Sequence, residues 1–281
     1  MTQPASTAPG HDDRRFAFGK NWQRFLSCLT ERRIAVAEQS LKSLLQRDSL
    51  TGLTFLDVGC GSGLFSLAAR RLGARVRSFD YDQDSVACCQ ELQRRFFSDD
   101  EAWRIEHGSA LDERYLESLG TFDIVYSWGV LHHTGRMWDA IAAVSQRVAP
   151  DGQLVLSLYN DQGGASRRWR MIKRLYNSVP RAIQFLIVLA VGLWTETKQA
   201  LIRLIRLQNP LPFQDWSRRR EERGMSFWHD LVDWVGGYPF EVARPEEVFH
   251  FLRDRDFTLT ELTTQGCGYG CNEYVFRRRA D

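Results

Sequence analysis

Between residues 54 and 158, short apolar runs alternate with longer segments whose apolar positions recur every three to four residues. The short runs at 54–58, 74–79, 103–106, 122–127 and 153–158 read as strands, and 64–72, 84–96 and 137–148 read as helices. This alternation predicts a parallel sheet with crossover helices packed on it. Pro150-Asp151-Gly152 is expected to turn into the fifth strand. Ahead of the sheet, Phe25, Leu29, Ile34, Ala37, Leu41 and Leu44 keep a helical spacing. One or two helices over 16–45 are therefore expected to pack over the open edge of the binding cleft.

The pattern breaks at Asp161 and no strand is evident before about Phe240. Instead there is Arg167-Arg168-Trp169-Arg170, an uncharged run of 13 residues from Ala182 to Trp194, and a basic segment to Arg206. Alternation resumes with a helix over 245–253, opened by proline at its favoured first position. Strands over 257–262 and 272–276 follow, joined by a glycine-rich turn that suits an antiparallel pair. The expected fold class is α/β, a doubly wound, Rossmann-like seven-stranded sheet with an antiparallel last strand. Its divisions are a tail and cap helices over 1–50, a binding core over 51–160, a helical insertion or lid over 161–240, and a completion of the sheet over 241–281.

Composition alters this picture at three points. A hydrophobic content of 43% in 281 residues is ample for a core, which excludes a largely disordered chain. The net charge of +2 is uneven: residues 161–224 hold 13 lysines and arginines against 5 acids. Such a segment meets an anionic surface or substrate, or is a solvated basic face. The first dozen residues are polar without a signal-like apolar run, so the expected location is cytoplasmic. The 6 cysteines are scattered and form no disulfide framework, and Cys267 and Cys271 lack a second pair, so no metal site is expected.

The candidate chemistry begins where the first strand ends. Asp57 is followed by glycines at 59, 61 and 63, a G-x-G-x-G spacing in which position 64 is leucine, unlike a nicotinamide-binding turn. The second strand ends in Asp80, where a carboxylate can accept hydrogen bonds from both ribose hydroxyls. This pair resembles motif I and the acidic motif II of class I S-adenosylmethionine-dependent methyltransferases, and Ser127 to His133 resembles the segment after strand four in the ubiquinone-type O-methyltransferase group. The resemblance covers about 50–160 well and the last 40 residues thinly. Segments at 223–230 and 236–240 look like methyltransferases of bacterial glycan and natural-product clusters. The resemblance implies S-adenosylmethionine as cofactor and S-adenosylhomocysteine as product. It carries cofactor contacts onto Asp57, Gly59, Cys60, Gly61, Gly63, Asp80, Tyr81, Ser109, Ala110, Ser127 and Trp128. Ser109 departs from the acidic residue often found there.

The segment after strand four also lacks the Asn/Asp-Pro-Pro-aromatic motif of nucleobase N-methylases. A hydroxyl acceptor must lose its proton, and histidine suits that task near neutral pH. His133 and His132, which follow strand four, and His229 are the candidate bases. Trp22, Trp228, His229 and Asp230 are the candidate acceptor contacts. The expected reaction is O-methylation of a small-molecule or glycan-type hydroxyl. The alternatives are N-, S- or carboxylate methylation, an RNA acceptor reached through arginines interleaved with aromatics, and an inactive cofactor-binding module. The apolar run at 182–194, flanked by basic residues, either lies on an anionic membrane or packs as a buried helix.

Overall fold

The computed structural model describes residues 26, 29–98, 100–209, 227–266 and 270–280, without the side chains of Phe227, His229 and Asp230. Seven strands form one sheet: β1 (Thr54–Val58), β2 (Arg75–Asp80), β3 (Trp103–His107), β4 (Phe122–Trp128), β5 (Val148–Tyr159), β6 (Phe257–Thr263) and β7 (Cys271–Arg278). Their order is β3-β2-β1-β4-β5-β7-β6. The first five run parallel, and β7 lies antiparallel between β5 and β6. The chain steps outward from β1 to β3 and then crosses to β4 on the other side. The crevice between the carboxyl ends of β1 and β4 is thus the topological switch point, where such sheets bind ligands.

Helices cover both faces. On one lie α1 (Glu31–Leu45), α2 (Leu64–Arg71) and α3 (Gln83–Phe96). On the other lie α4 (Glu113–Leu119), α5 (Met137–Ser145) and, later in the chain, the helix Pro245–Arg253. The apolar spacing in α1 buries Ile34, Ala37, Leu41 and Leu45, each side chain contributing about 1.5–3 kcal/mol where it is large and fully buried. Thr30 caps α1, and Arg71 of α2 reaches Glu31 at 2.9 Å and Glu38 at 3.3 Å. This helix therefore packs on α2 rather than over the cleft edge. The expected part of the cap before residue 26, Trp22 included, lies outside the described residues.

Two local differences from the sequence pattern have clear causes. The α4 helix has only 7 residues and two buried leucines, too little periodicity to stand out, yet Asp112 caps it by accepting from the Tyr115 N–H at 3.1 Å. Pro150-Asp151-Gly152 does not precede β5 but bulges within it. Phe122 pairs with Val148 and Ile124 with Gln153, and Asp151 takes a φ of 60°. The expected helix over 137–148 accordingly stops at Ser145.

After β5 the chain leaves the sheet as α6 (Gly164–Tyr176), α7 (Arg181–Ile205) and α8 (Phe227–Gly236), and returns through α9, the helix Pro245–Arg253. These three inserted helices share a small core of Tyr176, Val188, Leu231 and Val235. Departure and return meet at one point: the Ala243 N–H donates to the Tyr159 carbonyl at 3.0 Å and the Asp161 N–H to the Ala243 carbonyl at 3.1 Å. The α7 helix runs for 25 residues, far past the uncharged stretch, and is long and apolar enough to cross a membrane by length and composition. Only 11% of its most apolar window is buried. Apart from Val188, in the small core, and Gly192, against Leu231, none of its residues is fully buried.

Candidate functional site

The glycine turn is shaped by contacts a side chain would break. Gly59 and Gly63 hold φ values of 78° and 80°, a region disfavoured for residues with a β-carbon. A β-carbon on Gly59 would stand 2.4 Å from Val130 Cγ1, and one on Gly63 2.5 Å from Cys89 Sγ. The Gly59 and Cys60 N–H groups donate to the Phe79 carbonyl at 2.9 and 3.1 Å, tying the turn to β2. Cys60 itself is buried against Cys89, which raises its thiol pKa.

Two carboxylates organise the crevice. Asp57 is 3% exposed and accepts from the Ser66 hydroxyl at 2.5 Å; Ser66 pairs in turn with Ser78, to which the Trp103 indole N–H donates at 3.0 Å. Burial pushes the Asp57 carboxyl up to about 7, and the neighbouring charge of Asp80 adds to the effect. Asp80 accepts from the Gly61 N–H at Oδ2 and from the Asp82 N–H at Oδ1, both at 2.9 Å, and burial raises its pKa as well. An ionised Asp57 is therefore costly unless a cation comes near.

Beside this pair lies an open cleft of about 540 Å³ lined by Tyr81, Ser109, Leu111, Asp112, Glu113, Arg114 and Arg136. Tyr81 is well exposed, and its carbonyl is 2.9 Å from His107 Nε2. Ser109 Oγ accepts from the Leu111 N–H at 3.2 Å, and Ala110 is buried in the core. Ser127 is buried, with its hydroxyl donating to the Val58 carbonyl at 3.2 Å, so its side chain spans two strands. The Trp128 ring stacks on Tyr126 at 5.7 Å and on Phe65 at 6.2 Å.

The two histidines occupy a short 3-10 turn, Leu131–His133, and differ in environment. His132 is buried, its Nδ1 accepts from the Tyr159 N–H at 3.3 Å, and its Nε2 has no hydrogen-bond partner among the described residues. Burial holds its pKa well below the usual imidazole value. His133 is partly buried, and its Nδ1 lies 2.6 Å from the Pro239 carbonyl. A carbonyl only accepts, so Nδ1 carries the proton and Nε2 the basic lone pair. Burial pushes His133 down to about 4. Trp228 lies in α8 and packs against Phe185 of α7 at 5.3 Å, which places it at the junction of the inserted helices. His229 and Asp230 share that helix, and their side chains lie outside the description.

Sequence reasoning passed over Tyr159, the last residue of β5, whose ring sits 3.9 Å from His132 and 5.4 Å from His133. It also passed over Lys173, fully buried on α6 with its Nζ over the Trp234 and Phe240 rings at 4.5 and 4.9 Å. A signal was present: Trp169, Ile172, Lys173 and Tyr176 form a stripe at helical spacing.

A family model described as a methyltransferase domain matches residues 29–243. The mitochondrial ubiquinone biosynthesis O-methyltransferase of Schizosaccharomyces pombe is 31% identical over 234 residues, covering 82% of this chain and 70% of that protein. A tRNA U34 carboxymethyltransferase of Klebsiella pneumoniae is 36% identical over 203 residues, 68% of this chain and 57% of that protein. The magnesium protoporphyrin IX methyltransferase of Synechocystis PCC 6803, solved with S-adenosylmethionine, superposes with a TM-score of 0.53 at 15% identity. It covers 97% of this chain and 100% of that one, a likeness of fold. The chain belongs to the class I S-adenosylmethionine-dependent methyltransferases, and S-adenosylmethionine is its cofactor.

Proposed function

We propose that this methyltransferase acts on a hydroxyl oxygen of a small-molecule or glycan-type acceptor, with His133 as general base. The observation that carries the reading is the Pro239 carbonyl at His133 Nδ1, which directs the basic lone pair to Nε2. Burial keeps the ring neutral at physiological pH. A weak base suffices, because the hydroxyl grows more acidic as its oxygen bonds to carbon.

The chain's residues suit the cofactor, which supplies an electrophilic methyl group on a sulfonium. Buried Asp57 and Asp80 offer negative charge to a cationic ligand, and the glycine turn leaves room for close approach. Asp80 is assigned the ribose hydroxyls. Tyr81, Ser109 and Ala110 are assigned the adenine ring of the cofactor, beside the open cleft. Trp22, Trp228, His229 and Asp230 are assigned the acceptor, with residues 161–240 as its lid. The chief work of the protein is to hold the acceptor in line, worth roughly 7–11 kcal/mol in well-oriented cases.

The inserted helices also support a peripheral location at the inner face of a membrane. Phe185, Leu186, Leu193 and Trp194 of α7 are each more than half exposed, and Arg181, Lys198 and Arg206 are exposed at the flanks. The opposite edge of α7 is occupied by α8, since Gly192 meets Leu231 closely. That arrangement suits a helix lying in the interface.

The test is methyl transfer from labelled S-adenosylmethionine to a panel of phenols, catechols and hydroxylated sugars. His133→Ala is expected to lower kcat by about 10²–10⁴ with S-adenosylhomocysteine binding retained. Undiminished turnover in that variant overturns the assignment. An RNA acceptor is the second reading, favoured by exposed Arg167, Arg168 and Arg174 on α6. Steep weakening of RNA binding with salt would support it.

A further inference from the structure

Lys173 is a fully buried lysine that no carboxylate among the described residues pairs with. Its Nζ donates to the Trp234 carbonyl, lies over the Trp234 and Phe240 rings, and makes no ion pair among the described residues. Tyr159 joins this chamber to the histidines: its ring lies 5.2 Å from Phe240 and 5.8 Å from Trp234, as well as against His132 and His133. The charge of Lys173 acts on both imidazoles. The other ionisable groups of α6, α8 and the segment after it are Arg170 and Tyr176, the exposed Arg167, Arg168 and Arg174, Asp233, Tyr238 and Glu241, with the side chains of His229 and Asp230 outside the description. Arg170 donates to the Phe240 carbonyl at 3.1 Å, Asp233 acts on Tyr176, and Glu241 accepts from the Met137 N–H at 3.1 Å.

We propose that Lys173 is the positioning residue of the acceptor site: with His132 and His133 it forms a buried cluster that holds one positive charge, so that His133 takes a proton from an acceptor hydroxyl when Lys173 is a neutral amine. The physical reason is that a buried, ring-lined site solvates one ammonium poorly and a neighbouring imidazolium worse. During transfer the acceptor oxygen keeps the O–H electron pair and the proton moves to His133 Nε2. If Lys173 were charged, that proton would enter beside a like charge. Burial brings Lys173 down to about 7, so its neutral form is accessible at working pH. The inference rests on His133 as base, and its test separates the two.

The experiment is a nuclear magnetic resonance titration of the whole chain, with lysine labelled at Cε and histidine at the ring nitrogens. It compares the wild type with Lys173→Met and Lys173→Arg. In the wild type the Lys173 signal is expected to titrate near 7. In Lys173→Met, the His133 midpoint is expected to rise by about half a unit or more, since a like charge has gone. In Lys173→Arg it stays at or below the wild-type value, because arginine keeps its proton. Identical His133 midpoints in all folded forms overturn the proposal. If the Met variant does not fold, a Lys173 signal that titrates with the exposed lysines near 10.4 overturns it instead. With a turned-over acceptor, the wild-type rate rises through neutral pH, Lys173→Met loses that rise, and Lys173→Arg is slow throughout. A coupled cluster in an enzyme indifferent to His133→Ala would refute the base and leave the coupling.

Discussion

Asp57 should make cofactor affinity depend on pH in a way its neighbours do not. Its carboxyl lies at about 7 in the free protein. About one molecule in ten is then ionised at pH 6 and about nine in ten at pH 8. A ligand that carries positive charge into the crevice selects the ionised form, so the group contributes about tenfold in affinity across that interval, or ~1.4 kcal/mol. The sign is fixed: affinity strengthens as pH rises through 7 and levels off above it. Asp57→Asn preserves the shape and the Ser66 contact but removes the titration. Calorimetry of S-adenosylmethionine binding to both forms at pH 6, 7 and 8 gives an affinity ratio from which the ligand's own ionisation cancels. The ratio of wild type to variant should grow about tenfold; a flat ratio would mean that Asp57 does not face the ligand's charge, and the reasoning fails. The same group acts oppositely on the fold. Its folded pKa stands above its unfolded value of 3.8, so its contribution is greatest below about 4 and is lost as pH climbs through 7.

Three further outcomes follow from the geometry. Asp80→Ala removes the acceptor of the Gly61 and Asp82 N–H groups, and calorimetry should show S-adenosylhomocysteine binding weakened by roughly 1.5–3 kcal/mol for each charge-assisted bond lost; unchanged affinity would exclude it as ribose partner. Gly59→Ala forces a β-carbon onto Val130 at a positive φ, with a thermal-denaturation cost of roughly 1–3 kcal/mol that a second change, Val130→Ala, should partly restore. Co-sedimentation with anionic liposomes at low salt should retain the protein, each basic residue near the surface adding about 1 kcal/mol, and Leu186→Ser with Trp194→Ser should release it. Protein that stays in the supernatant under those conditions would end the membrane reading.

The middle of the sheet was legible because β1, β4 and the second half of β5 are buried on both faces and therefore written as apolar runs, and because Asp57, Gly59 and Asp80 stand at strand ends, where sequence position alone places them at the crevice. Pro245 likewise marked the start of its helix, whose expected bounds of 245–253 are the observed ones. What stayed hidden depends on distant contacts. Nothing local to His132 and His133 says that one ring meets the Tyr159 backbone and the other the Pro239 carbonyl, more than a hundred residues on in the second case. Lys173 reads as one more cation in a basic helix until its stripe is matched with Trp234. The full extent of α7 was concealed by Glu196 and Lys198, which interrupt the apolar run but not the helix.

The paired contacts joining Tyr159, Asp161 and Ala243 give the protein a narrow neck between the end of β5 and everything inserted after it. A segment that enters and leaves a scaffold at one place can be lengthened, exchanged or recast without disturbing strand registers on either side. Here the neck adjoins Tyr159, so whatever is grafted there arrives beside the histidines. On the assignment proposed above, the cofactor contacts and the lid over the acceptor are written in separate stretches of chain, and only the histidines before β5 serve both. Over generations the first could stay still while the second drifts toward new substrates, which makes this junction the natural boundary for swapping acceptor specificity between relatives.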